Sequence, residues 1–130
     1  MSVELKNKKK ESKSIIADKA YAFALLIISI YKELKTQNEF ILSKQIIRSG
    51  TSIGANINEA ISAESKKDFV HKLSISLKES RETKYWLNLL KDSDYIDQET
   101  YNKSNKYCEE LIKILSSIIL TTKQRYLSKS

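Results

Sequence analysis

Apolar residues in this chain return at steps of three and four in four separate blocks, a spacing that only a helix gathers onto one face. The clearest block is Ile16, Ala20, Phe23, Ile27, Ile30 and Leu34. A second is Leu42, Ile46, Gly50, Ile53, Ile57 and Ala60, and a third is Phe69, Leu73, Ser76, Ser80, Thr83, Leu87 and Leu90. The fourth is Tyr101, Ser104 or Asn105, Cys108, Leu111, Leu115, Ile118 and Thr122. Proline is absent and glycine occurs twice, which leaves few places for β-turns, bulges or rigid linkers. A chain of 130 residues makes one domain able to bury a core. Short connections between helices force antiparallel neighbours, so the expected fold is all-α, an antiparallel up-down-up-down four-helix bundle.

Residues 1–12 are expected as a disordered basic lead-in, 13–125 as the bundle and 126–130 as a tail. The four helices are expected over 13–36, 39–63, 66–91 and from the Asp97 cap to about 125. Asn38 or Thr36 is available to cap helix two, and Ser65 with Asp68 resembles a capping box for helix three. Glycine inside a helix costs about 1 kcal/mol relative to alanine. Placing Gly50 and Gly54 there implies close approach of a neighbouring helix, with a kink as the competing explanation. Tyr21, Leu25 and Ile28 lie off the core stripe of helix one, and Ile75 and Trp86 off that of helix three. These five are candidates for a surface shared between copies of the chain.

The chemistry of an enzyme is hard to assemble. His71 is the only histidine and Cys108 the only cysteine, too few for a zinc site or for the Glu-x-x-His pairs of a di-iron bundle. Gly50-x-x-x-Gly54 lacks the lysine of a phosphate loop, and Ser65-Lys66 point in different directions on a helix. Cys108 falls on an apolar stripe and reads as core. No catalytic residue, metal or cofactor is therefore expected. Asn56, Asn58 and Glu59 form a polar cluster at the end of helix two, read as a cap network or a protomer interface.

Charge is what remains. The formal net charge is +7, a bias toward polyanions. Lys44, Arg48, Lys66, Lys67 and Lys72 are the candidate phosphate contacts, within a larger basic set that includes Lys78, Arg81 and Lys84. Against them, Glu79 and Glu82 sit beside Lys78 and Arg81 in sequence and read as partial cancellation of the local field. The apolar run 20–31 is too short to span a bilayer, which needs about 20 residues. A lone cysteine suits a reducing compartment, so a cytoplasmic protein without a membrane partner is expected.

Three segments carry a resemblance: Gln45-Ile46-Ile47-Arg48-Ser49, Ser52-Ile53-Gly54-Ala55-Asn56-Ile57-Asn58-Glu59-Ala60 and Ser65-Lys66-Lys67-Asp68-Phe69. With Leu73-Ser74-Ile75-Ser76-Leu77-Lys78-Glu79-Ser80 and Tyr95-Ile96, they resemble the four-helix-bundle family encoded in intervening sequences of 23S ribosomal RNA genes. The similarity extends over residues 16–123. It implies a ring-like homopentamer. It also points to a relative, the accessory protein of diversity-generating retroelements, which binds nucleic acid and a reverse transcriptase through a basic surface. RNA or DNA, a reverse transcriptase and further copies of the chain are thus the implied partners. The chain departs from the family pattern at Gly54, where proline is common, and at Ala60, where glycine is common. The second change removes a glycine stop from the end of helix two.

Overall fold

The computed structural model describes the backbone of residues 3–127 and the side chains of residues 15–127. Four helices follow one another: α1 (Val3–Thr36), α2 (Leu42–Ile61), α3 (Lys66–Asp92) and α4 (Gln98–Thr122). A π-helical turn, Lys123–Leu127, extends α4. Among the described residues there is no strand. Each helix packs on two others: α2 lies between α1 and α3, and α4 between α3 and α1. The helices thus occupy the corners of a square, with α1 diagonal to α3 and α2 diagonal to α4.

Paired contacts show the helix directions. Moving forward along α2 from Ser49 to Ile53 means moving back along α3, from Thr83 to Ser76. Asn88 meets Tyr101 and Ser80 meets Cys108, so α3 and α4 are antiparallel too. A side chain at Gly50 would meet Ile27 and one at Gly54 would meet Ala20, which opposes α1 and α2. The bundle is up-down-up-down.

All six residues of the first apolar stripe are buried, as are Ile46, Gly50, Ile53, Ile57 and Ala60 on α2. On α3 the stripe holds from Leu73 to Leu90, but Val70 takes the buried place at its start and Phe69 is half-covered. On α4, Ser104 rather than Asn105 is buried, and Ile119 rather than Ile118. Small polar residues line the α2–α3 seam. The Thr83 and Ser49 hydroxyls share a hydrogen bond of 2.9 Å, and Ser76 Oγ donates to the Ile53 carbonyl at 2.9 Å. Both helices remain unbroken there, so the small residues serve close packing and not a kink.

Several ends differ from expectation. At its start α1 runs from Val3 through a lysine- and glutamate-rich stretch that contains no helix breaker. Neither Asn38 nor Thr36 caps α2. Thr36 Oγ1 donates to the Glu33 carbonyl of its own helix, and Asn38, at φ 59°, closes the end of α1. There Glu39 N–H donates to the Leu34 carbonyl at 2.9 Å and Asn38 N–H to Lys35 at 3.0 Å, a Schellman motif. Asp94, at φ 64°, ends α3 the same way, through Tyr95 N–H to Leu90 and Asp94 N–H to Lys91.

The cap of α2 is Glu39, whose buried carboxylate accepts from the N–H groups of Ile41, Leu42 and Ser43 at 3.2, 3.0 and 2.7 Å. The other two caps are as expected: Ser65 accepts from Asp68 N–H at 3.0 Å, and Asp97 from Thr100 N–H at 2.8 Å. With no glycine stop, α2 ends at Ile61 without a left-handed residue. Among the described residues, no helix is long and apolar enough to cross a membrane.

Candidate nucleic-acid interface

The five candidate phosphate contacts are not gathered on one surface free of partners. Arg48 reaches from α2 to α3, donating to Glu79 at 3.2 Å and to Glu82. Glu82 in turn accepts from Trp86 Nε1 at 2.9 Å, so the guanidinium anchors a small network between the helices. Lys72 pairs with Glu59 across the α2–α3 corner at 3.4 Å. Lys66 stands 4.7 Å from the centre of the Tyr126 ring, a cation–π contact with the chain beyond α4. Lys44 and Lys67 are exposed.

A different set of cations emerges when α3 is followed along its outer face. Lys67, His71, Ser74, Lys78, Arg81 and Tyr85 succeed one another at steps of four and three, the same spacing as the core stripe but on the opposite side of the helix. All but the half-covered Ser74 are exposed. The stripe contains no carboxylate, and at 1.5 Å per residue it is about 27 Å long.

Three of the acids that flank the stripe, Glu79, Glu82 and Glu109, are engaged sideways. Glu79 and Glu82 are adjacent in sequence to Lys78 and Arg81, yet a helix turns neighbours about 100° apart. Both glutamates therefore turn toward α2 and hold Arg48. On the other flank Glu109 of α4 binds Lys84 at 2.9 Å. This hydrogen bond raises the Lys84 pKa, and together with the charge of Lys84 it lowers that of Glu109. Glu79 and Glu82 share the one guanidinium of Arg48 and Glu109 takes Lys84, and neither cation belongs to the stripe. Among the described residues, no ion pair joins Lys78 or Arg81 to Glu79 or Glu82, which bond Arg48 instead.

The remaining candidates fall on other faces. Tyr21 is 69% and Leu25 53% exposed, and with half-covered Ile28 they run along the side of α1 turned away from the core. Ile75 and Trp86 are half-covered on the flank of α3, near the Arg48 network. Since α1 and α3 are diagonal, the two groups form separate patches. The polar cluster at the end of α2 is open to solvent: Asn58 and Glu59 are exposed, and Asn56 donates to the Ser52 carbonyl of its own helix at 2.9 Å. Cys108 is fully buried, and burial pushes its thiol up to about 12 despite the opposing pull of Lys84. Among the described residues no three His, Cys, Asp or Glu side chains cluster in a way that could hold a metal ion.

A model of the 23S rRNA-intervening sequence protein family matches residues 12–117. A crystal structure from Bacteroides thetaiotaomicron, described as a protein with unknown function from the S23 ribosomal protein family, is 50% identical, with a TM-score of 0.81. That likeness covers 84% of this chain and 98% of the other. Among curated proteins there is no match.

Proposed function

The chain belongs to the 23S rRNA-intervening sequence protein family, and on that premise we propose that it is a non-enzymatic, self-assembling bundle that contacts RNA or DNA through the outer face of α3. The observation that carries this reading is the carboxylate-free stripe of Lys67, His71, Lys78 and Arg81, beside which Glu79, Glu82 and Glu109 are engaged elsewhere. Cations held in line on a rigid helix suit a phosphate backbone, and such contacts position without reading sequence. Lys44 and Lys67 remain available from the sequence-based set, whereas Arg48 and Lys72 act as struts between helices.

Self-assembly draws on the two apolar patches. A face on α1 that meets a different face on α3 of the next copy makes a heterologous contact, and repetition of such a contact closes a ring. A homopentamer, the arrangement that the family resemblance implies, is one such ring. A cytoplasmic location belongs to the same reading.

Salt titration of binding to RNA and DNA, with nuclease-treated protein, tests the interface. Three phosphate contacts per engaged protomer give a slope of log affinity against log salt of about −2 for single strands and about −2.7 for duplex. Reversing Lys67, Lys78 and Arg81 to glutamate abolishes that slope. Neutralising Lys72 leaves it unchanged. Absence of binding at low salt refutes the nucleic-acid reading. The second reading, a scaffold for a protein partner such as a reverse transcriptase, is favoured by Phe40 and Ile41, which stand 50% and 76% exposed at one end of the bundle. Its test is retention of a reverse transcriptase after nuclease treatment, and loss of that retention on Phe40→Ser with Ile41→Ser.

A further inference from the structure

The basic stripe of α3 ends on a side chain of different chemistry. Tyr85 lies one turn beyond Arg81 and is 59% exposed, whereas every other aromatic or large aliphatic residue of α3 is at least half-covered. The exposed ring is also braced. Trp86 meets it edge-on, with ring centroids 5.0 Å apart and an interplanar angle of 71°. Trp86 is itself tied through Nε1 to Glu82, and Glu82 to Arg48 of α2. A chain of contacts beginning on a second helix thus holds Tyr85 in place beside Lys78 and Arg81.

An ordered aromatic ring in line with unpaired cations is the combination that binds single-stranded nucleic acid, where bases stack on the ring and phosphates follow the charge. A duplex offers only half of that match, because its base faces are consumed in its own stack and it can engage the cations alone. Resting on the nucleic-acid reading above, we infer that the α3 stripe takes a single-stranded segment. One unstacked base lies on Tyr85, and Arg81 and Lys78 hold the phosphates beside it.

The test measures binding of the full chain, by fluorescence anisotropy at fixed salt, to a short oligothymidylate, an oligouridylate and a mixed-sequence duplex of equal length. The single strands are expected to bind more tightly than the duplex. Tyr85→Ala weakens single-strand binding about ten-fold and leaves duplex binding and the salt slope unchanged. Tyr85→Phe, which keeps the ring, binds like the unaltered protein. Lys78→Glu with Arg81→Glu weakens binding to both forms. If Tyr85→Ala weakens both forms alike, or neither, the stacking site is refuted while the basic interface stands. If the unaltered protein binds none of the probes, the broader reading fails and this inference fails with it.

Discussion

Alanine at Gly50 and alanine at Gly54 should move stability in opposite directions, although the two positions lie about one turn apart on the same helix. Both substitutions gain the same helix preference, about 1 kcal/mol. They differ in what the new methyl group meets. At Gly50 it would sit 2.8 Å from both γ carbons of Ile27 and 3.1 Å from its Cβ. Ile27 is fully buried and branched at Cβ, so rotation about χ1 leaves a γ carbon in the way, and the helices must separate. Overpacking of this kind costs about 1–3 kcal/mol, and contact with three atoms near the backbone places it in the upper part of that range.

Gly50→Ala is therefore expected to destabilise by about 1–2 kcal/mol net, whereas Gly54→Ala is expected to stabilise by about 0.5–1 kcal/mol. The methyl at position 54 would lie 3.5 Å from Ala20 Cβ, an ordinary contact. Urea unfolding followed by circular dichroism reads both changes, at several protein concentrations so that assembly is not mistaken for folding. A double-mutant cycle isolates the contact: in an Ile27→Ala background, Gly50→Ala should lose most of its penalty. A rise in stability on Gly50→Ala matching that of Gly54→Ala would refute the argument from close approach.

Three further outcomes follow from single contacts. Glu39→Ala leaves three N–H groups at the start of α2 without their acceptor and should lower stability by about 1–3 kcal/mol; an unchanged urea midpoint would show that the carboxylate is dispensable. Asp97 has its pKa held below the ordinary 3.8 by the Thr100 N–H, so its contribution is present above that value and fades as pH falls through the lower folded value. Asp97→Asn should flatten the acid side of a plot of Tm against pH, and an unaltered slope there would contradict the cap. Cys108, its thiol raised to about 12 by burial, should resist an aromatic disulfide reagent at neutral pH until the chain unfolds, and rapid labelling of folded protein would contradict that burial.

Much of the fold was legible because one period carries it. The 4-3 stripes on α1 and α2 mark buried residues nearly one for one, and Ser65 and Asp97 announce their helices with side chains favoured at a cap. The misreadings share a cause, which is that they depend on contacts made after the chain turns back on itself. Glu39 looks like a surface glutamate until α1 ends in a Schellman motif and swings its carboxylate under three backbone donors. Asn38 looks like a cap for the helix after it, and its left-handed backbone closes the helix before it. Val70 displaces Phe69 from the core because an edge position at the start of α3 leaves room for the larger ring to lie half outside.

The basic surface was only partly legible, for a more instructive reason. Adjacent charges such as Lys78-Glu79 and Arg81-Glu82 do not point the same way on a helix. Applying to charge the period already applied to the core separates them at once. Residues 67, 71, 74, 78, 81 and 85 fall on one line and contain no acid, while Glu79 and Glu82 fall together on the flank facing α2. Sequence could have shown that line. It could not have shown that Arg48 and Lys72 are occupied, because their partners are set by the register of α2 against α3, and a slip of one turn would release both. The availability of a cation is thus a tertiary property even where its direction is a local one. That distinction assigns Arg48 to the stability of the bundle and Arg81 to its surface.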